Sequence, residues 1–179
     1  MSQVPVLERA KATAGEVGAA GYAAILCLLV LGAAGLVGLM THLPWLFPSL
    51  GPTVMLFFES PEQKSARPLN ALVGHGVGLL AGVGCFYAMG LMNAAPAPVG
   101  GLNPRFVIAG ALSVAVTTMV LTAIKMPHPP AGATTLIVSL GILAAPAQLL
   151  SMAGAIVLVT LLGWAINMAL GTKPAKKTG

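Results

Sequence analysis

Residues 43–58 read LPWLFPSLGPTVMLFF, and residues 126–146 read MPHPPAGATTLIVSLGILAAP. Both stretches are apolar and uncharged, and both open on prolines: Pro44, Pro48 and Pro52 in the first, Pro127, Pro129 and Pro130 in the second. A proline ring fixes φ, removes an amide donor and pushes the preceding residue out of the helical region, so neither stretch can begin as regular helix. Beyond Gly51 and Gly132 helix becomes possible, and in the second stretch it is expected over Ala131 to Ala144.

The two stretches overlay without a gap. Pro48, Gly51 and Thr53 fall on Pro129, Gly132 and Thr134, a shift of 81 residues (53 to 134). The same shift places Asn70 on Ser151 and aligns the apolar segments on either side. Those segments run over about 21–40, 69–92, 106–124 and 147–170. The chain therefore reads as span, broken segment, span, used twice: a first membrane repeat over 20–92, a connecting loop over 93–104 and a second membrane repeat over 105–170.

Of 179 residues, 57% are hydrophobic and only 7% are charged, with a mean hydropathy of +0.92. A soluble domain carries about a quarter charged residues, so this composition points to a lipid bilayer. A bilayer core of about 30 Å takes roughly 20 apolar residues per helix, which allows four full spans and two shorter elements. The fold class expected is all-α integral membrane, with six membrane segments and the second repeat inverted relative to the first.

Residues 1–19 mix Glu8, Arg9, Lys11 and Glu16 with small residues and lack the early apolar core of a secretory signal, so the first apolar segment is expected to be retained. The net charge of +5 sits at segment ends and in the tail GTKPAKKTG (171–179), a membrane-topology pattern rather than a nucleic-acid patch. If the broken segments only dip into the bilayer, basic residues divide six to three across it. If they cross, eight lie on one side and only Arg105 on the other. The excess of cytoplasmic Lys and Arg found in membrane proteins prefers the second arrangement. It places residues 1–19 and 171–179 in the cytoplasm of a cell with the chain in its inner membrane.

Backbone that is not helical cannot face lipid, because each unpaired amide or carbonyl there costs several kcal/mol. Both broken segments must lie inside the bundle. Each short helix then begins near mid-membrane, where its first turn offers N–H groups and about half a positive charge. Two opposed starts make an anion site from backbone, without a buried Arg or Lys. The chain has no Asp, and its four Glu lie at the N-terminus or in ESPEQKSARP (59–68), so an acidic cation path or proton relay has no carboxylates within the spans. The candidate substrate-binding residues are Ser49, Gly51, Thr53, His128, Gly132, Thr134 and Thr135, whose hydroxyl and imidazole donors suit a small inorganic anion. His75, in the run GHGVG, and Asn70 are gating or pore-lining candidates.

No CxxC and no metal-ligand spacing surrounds Cys27 or Cys85, which read as small apolar side chains. No cofactor or metal is called for. No nucleophile and base pair is evident within the membrane portion, so an enzyme is not expected. A membrane scaffold or regulatory subunit that carries nothing is the alternative. A homo-oligomer is expected, with a dimer the simplest case.

The stretches SLGPTVMLFFESP, RPLNALVGH and HPPAGATTL resemble the signature regions of the HPP family of membrane proteins, so named for the triplet His128, Pro129, Pro130. The resemblance extends over roughly residues 20–170. It implies an integral membrane protein and, from cyanobacterial and chloroplast members associated with nitrite transport, nitrite as the leading substrate. It also implies four membrane helices, which would leave the broken segments re-entrant. Where relatives carry Gln-Pro before the asparagine, this chain has Arg67 and Pro68.

Overall fold

The computed structural model describes residues 4–173 and 175; Lys176, Lys177 and most of the basic tail lie outside the described residues. Among the described residues every regular element is helical. In chain order these are α1 (Val6–Thr41), α2 (Leu50–Glu59), a 3-10 turn (Lys64–Ala66), α3 (Pro68–Ala88), the short α4 (Ala97–Gly100), α5 (Pro104–Ala123), α6 (Pro130–Ser139) and α7 (Pro146–Ala169). Helices α1, α3, α5 and α7 are long and apolar enough to cross a membrane. Their outer faces carry exposed Leu28, Leu39, Leu80, Met119 and Leu150, as a lipid-facing surface requires. The protein is membrane-embedded.

The four long helices sit within a few residues of where hydropathy puts them, except at the N-terminus. Helix already begins at Val6, inside the polar segment 1–19, and breaks at Ala14 and Gly15. Gly15 takes φ 58, which costs glycine little because it has no Cβ. The piece before the kink docks on the end of α7: Val6 N–H donates to the Leu170 carbonyl (3.0 Å) and Leu7 is buried. Cys27 and Cys85 are free and only part-buried.

The expectation of helix from Ala131 to Ala144 is corrected. Helix α6 stops at Ser139 because Gly141 turns to φ 73, and the amides of Gly141 and Ile142 fold back onto the carbonyls of Val138 and Ile137. This is a left-handed glycine stop. Both half-helices are thus ten residues, about 15 Å at 1.5 Å per residue.

Helix α3 is the centre of the bundle and packs on α5, α6 and α7. One glycine stripe sets its distance from α6. A Cβ added at Gly74 would meet His128 Cβ at 2.7 Å, at Gly78 the Ala131 carbonyl oxygen at 2.8 Å, and at Gly82 the Thr135 carbonyl oxygen at 2.9 Å. Gly76 and Gly84, one face round, would meet nothing within 4 Å. Of the glycines in GHGVG, Gly74 and Gly78 bear on α6 and Gly76 does not.

The third helix of each half packs on the short helix of the other. Gly82 of α3 lies against Val138 of α6, and Gly163 of α7 lies against Phe57 of α2, with an added Cβ falling 2.9 Å and 2.6 Å from the partner side chain. The same 81-residue shift carries 82 to 163 and 57 to 138. The first turns match as well: Asn70 Nδ2 donates to the Pro127 carbonyl (3.1 Å) and Ser151 Oγ to the Pro44 carbonyl (3.3 Å). Each bond ties a third helix to the extended lead of the opposite short helix.

Candidate functional site

The prolines that break the two segments also place their first polar side chains. Ser49 and Pro129, the residues before α2 and α6, are themselves in the right-handed helical region (φ −76, ψ −13 and φ −54, ψ −35). Pro130 at the first helical position has no amide to leave unpaired and a φ already suited to helix. The turn so formed points Ser49, Thr53 and Thr134 inward, and the extended residues before it bring His128 to the same point. All four are buried.

His75 completes the cluster. It is fully buried on α3, between the two short helices. Its Nε2 lies 2.8 Å from Thr53 Oγ1 and 3.2 Å from His128 Nε2, and its Nδ1 lies 2.7 Å from Thr134 Oγ1. Thr134 Oγ1 is in turn 2.6 Å from Ser49 Oγ. The imidazoles of His75 and His128 meet edge to face, with centroids 4.8 Å apart.

Two backbone carbonyls settle where every proton sits. The Ser65 carbonyl can only accept, so His128 donates to it from Nδ1 (2.9 Å) and, while neutral, carries a lone pair on Nε2. The Ser49 carbonyl takes the one hydroxyl proton of Thr53 (2.9 Å). Thr53 Oγ1 must then accept from His75, which places the His75 proton on Nε2, directed at Thr53 and the His128 lone pair. His75 Nδ1 is left as an acceptor, so Thr134 donates to it and Ser49 donates to Thr134. The result is a directed row, Ser49 to Thr134 to His75 to His128, with both rings neutral and every side-chain donor used.

The cluster gathers Ser49, Thr53, Thr134, His128 and His75, so the residue read as gating stands at the centre. Asn70 lies outside and pins the lead that carries His128, through Pro127. Thr135 also lies outside: its hydroxyl returns to the Ala131 carbonyl (2.9 Å) and meets Thr117 Oγ1 (3.0 Å), which bonds the Ser113 carbonyl. Gly51 and Gly132 touch none of these groups, and an added Cβ at either would meet nothing within 4 Å. Gly132 faces a cleft of about 360 Å³ between α5 and the His128–Pro129 segment, lined also by Thr117, Thr118 and Thr122.

The first-turn amides are less free than a bare helix start would make them. Leu50 N–H bonds the Phe47 carbonyl, Ala131 N–H the His128 carbonyl and Gly132 N–H the Pro129 carbonyl, each at 3.0 Å. The helical conformation of Ser49 and Pro129 closes these tight turns. Any anion held here takes its donors from the hydroxyl and imidazole row or from a rearranged turn. Sequence reasoning missed Ser65, which acts through a main-chain carbonyl and leaves no side-chain signature, and Thr117, whose only signal is a hydroxyl in an apolar helix. Among the described residues no group of three or more His, Cys, Asp or Glu is placed to hold a metal ion.

No curated protein and no solved structure matches the chain. The family description "HPP, transmembrane region" matches residues 10–175, from before the kink of α1 to beyond the end of α7 and with the histidine pair inside it; the chain belongs to the HPP family of membrane proteins.

Proposed function

We propose that this protein is a membrane transporter for a small inorganic anion, with nitrite the substrate that the family resemblance favours. One observation carries the reading: two short helices start inside a membrane bundle and converge on a buried row of hydroxyls and imidazoles, Ser49, Thr134, His75 and His128. Polar groups at such depth are costly and mark a pathway more often than a structural need. The positive ends of both short helices point toward the row, and no carboxylate enters it, so its electrostatics favour an anion.

The row is closed on itself, with each donor satisfied. Anion binding therefore needs an opening that exchanges internal hydrogen bonds for bonds to the anion. Inverted repeats provide such a motion, one half rocking on the other around a fixed central site. The equivalence of the Gly82–Val138 and Gly163–Phe57 contacts supports two inverted repeats of three crossings each, with α2 and α6 and their leads as the third crossing. With six crossings the basic residues put both termini in the cytoplasm, and the inner membrane is the proposed location. The activity is carriage, not catalysis, and calls for no cofactor. A homodimer is the proposed assembly.

The test is nitrite uptake by the purified protein in liposomes. Uptake above that of protein-free vesicles is expected. Equal rates in the two would remove transport of nitrite from consideration.

A further inference from the structure

We propose that the row Ser49–Thr134–His75–His128 is a proton relay, which makes a proton the second species handled by the anion site. As a coupling device it rests on the transport reading above; as a relay it stands on geometry alone. Four consecutive groups, each able both to donate and to accept, are spaced 2.6, 2.7 and 3.2 Å apart and shielded from solvent. Nothing in the row is left over to hold a proton in place except at its His128 end, where the Ser65 carbonyl accepts from Nδ1 and cannot itself take the proton.

The transfer balances group by group. A proton delivered to Ser49 Oγ when the site opens to water releases the serine proton to Thr134 Oγ1, and Thr134 releases its own to His75 Nδ1. His75 then gives its Nε2 proton to His128 Nε2. No covalent bond between heavy atoms changes. One proton has entered, His128 is an imidazolium with hydrogen on both nitrogens, and His75 has exchanged Nε2–H for Nδ1–H. The two Nε2 atoms, 3.2 Å apart, have room for one hydrogen between them, so charging His128 and switching His75 are a single event. The positive charge then lies on a residue that also lines the Thr117, Thr118 and Gly132 cleft, where an anion would meet it.

Few other groups compete. The elements around the pair carry Glu59 on α2, Glu62, Lys64 and Arg67 in the following loop, Cys85 and Tyr87 on α3, Arg105 on α5 and Lys125 beyond it; α6 and α7 carry none. None of these side chains bonds either imidazole.

The chain has three histidines, which makes the switch directly observable. His42 is exposed, with φ 55, a conformation that asparagine tolerates, so His42→Asn leaves only the pair. Nitrogen NMR on histidine-labelled protein in lipid distinguishes protonated from bare ring nitrogens. At high pH one ring bearing Nε2–H and one bearing Nδ1–H are expected. On acidification one ring gains a second N–H while the other moves its hydrogen from Nε2 to Nδ1, in a single step. In Thr134→Val, which removes the acceptor for the new Nδ1–H, the second ring is expected to stay Nε2–H throughout. A His75 that keeps Nε2–H in the unmodified row while His128 charges would overturn the relay. The signals are read without any anion, so absence of nitrite uptake leaves this result standing, and a failed switch leaves uptake standing.

Discussion

Thr53 and Thr134, 81 residues apart and aligned when the two proline-broken stretches are overlaid, hold opposite nitrogens of one imidazole: Thr53 accepts from His75 Nε2 at 2.8 Å and Thr134 donates to Nδ1 at 2.7 Å. A pair aligned by that shift thus closes on one residue of α3 that has no counterpart under it, since position 156 is isoleucine.

That arrangement ranks the threonines. Thr53→Val removes the nearer acceptor of the His75 proton in a site closed to water and leaves it only the longer contact to His128 Nε2 at 3.2 Å, a loss of about 1 kcal/mol. Thr135→Val loses a hydroxyl whose main bond returns to its own helix, a bond that contributes little to helix stability. Thermal unfolding in detergent is expected to show a clearly larger drop in Tm for Thr53→Val than for Thr135→Val. Equal drops would contradict the tautomer assigned to His75.

The α3 stripe makes a second prediction. Gly82→Ala puts a methyl 2.9 Å from the Thr135 carbonyl oxygen and from Val138 Cβ, and overpacking of this kind costs about 1–3 kcal/mol. Gly84→Ala, facing open space, is expected to be neutral or to stabilise by up to about 1 kcal/mol through helix propensity. Melting curves of the two variants should move in opposite directions or differ by several degrees.

Asn70 and Ser151 occupy matching positions but not matching roles. Asn70 spends its amide on Pro127 at 3.1 Å, whereas Ser151 reaches Pro44 at only 3.3 Å while also bonding its own helix at Gln148 (2.8 Å). Asn70→Ala should cost about 1 kcal/mol and loosen the segment before His128. Faster labelling of a cysteine placed at Met126 in the Asn70→Ala background, in a chain whose Cys27 and Cys85 are alanine, is the readout. Ser151→Ala should leave that labelling rate within twofold.

Gly132 lines the cleft alongside His128. Gly132→Ala finds empty space and is expected to keep nitrite uptake in liposomes within about twofold, well under the tenfold that 1.4 kcal/mol represents. Gly132→Trp would fill much of the 360 Å³ cleft and is expected to abolish uptake. Full uptake by the tryptophan variant would take the cleft off the anion's route.

Topology is tested by the loop between α2 and α3. A cysteine at Ser65, whose side chain bonds only Gln63, is expected to react with a membrane-impermeant thiol reagent from the cytoplasmic face, the side proposed for the termini. Reaction from the opposite face would mean that the α2 segment enters and returns instead of crossing.

Much of this was legible in the chain. Stretches of about twenty uncharged apolar residues can only be satisfied as helices in lipid, so the four long helices followed from composition and length. The prolines of 43–58 and 126–130 forced extended leads and short helices, because proline acts on its own and the preceding residue's backbone whatever surrounds it. Ser49, Thr134 and His128 of the buried row were named from their places beside those breaks, and His75 from the run GHGVG as a gating candidate. Their roles were not, because the bonds join positions 22, 53, 59 and 85 apart. Those distances arise only when the Gly74–Gly78–Gly82 stripe lets α3 close on α6, and no local backbone rule encodes that approach. Sequence by itself determined which stretches must be helix and where prolines break them, through backbone covalency and the cost of bare amides in lipid. It did not determine the start of α1 at Val6 or the stop of α6 at Ser139. Tertiary packing alone decided that His75 would be the centre, that a main-chain carbonyl at Ser65 would orient His128, and hence which way each proton points.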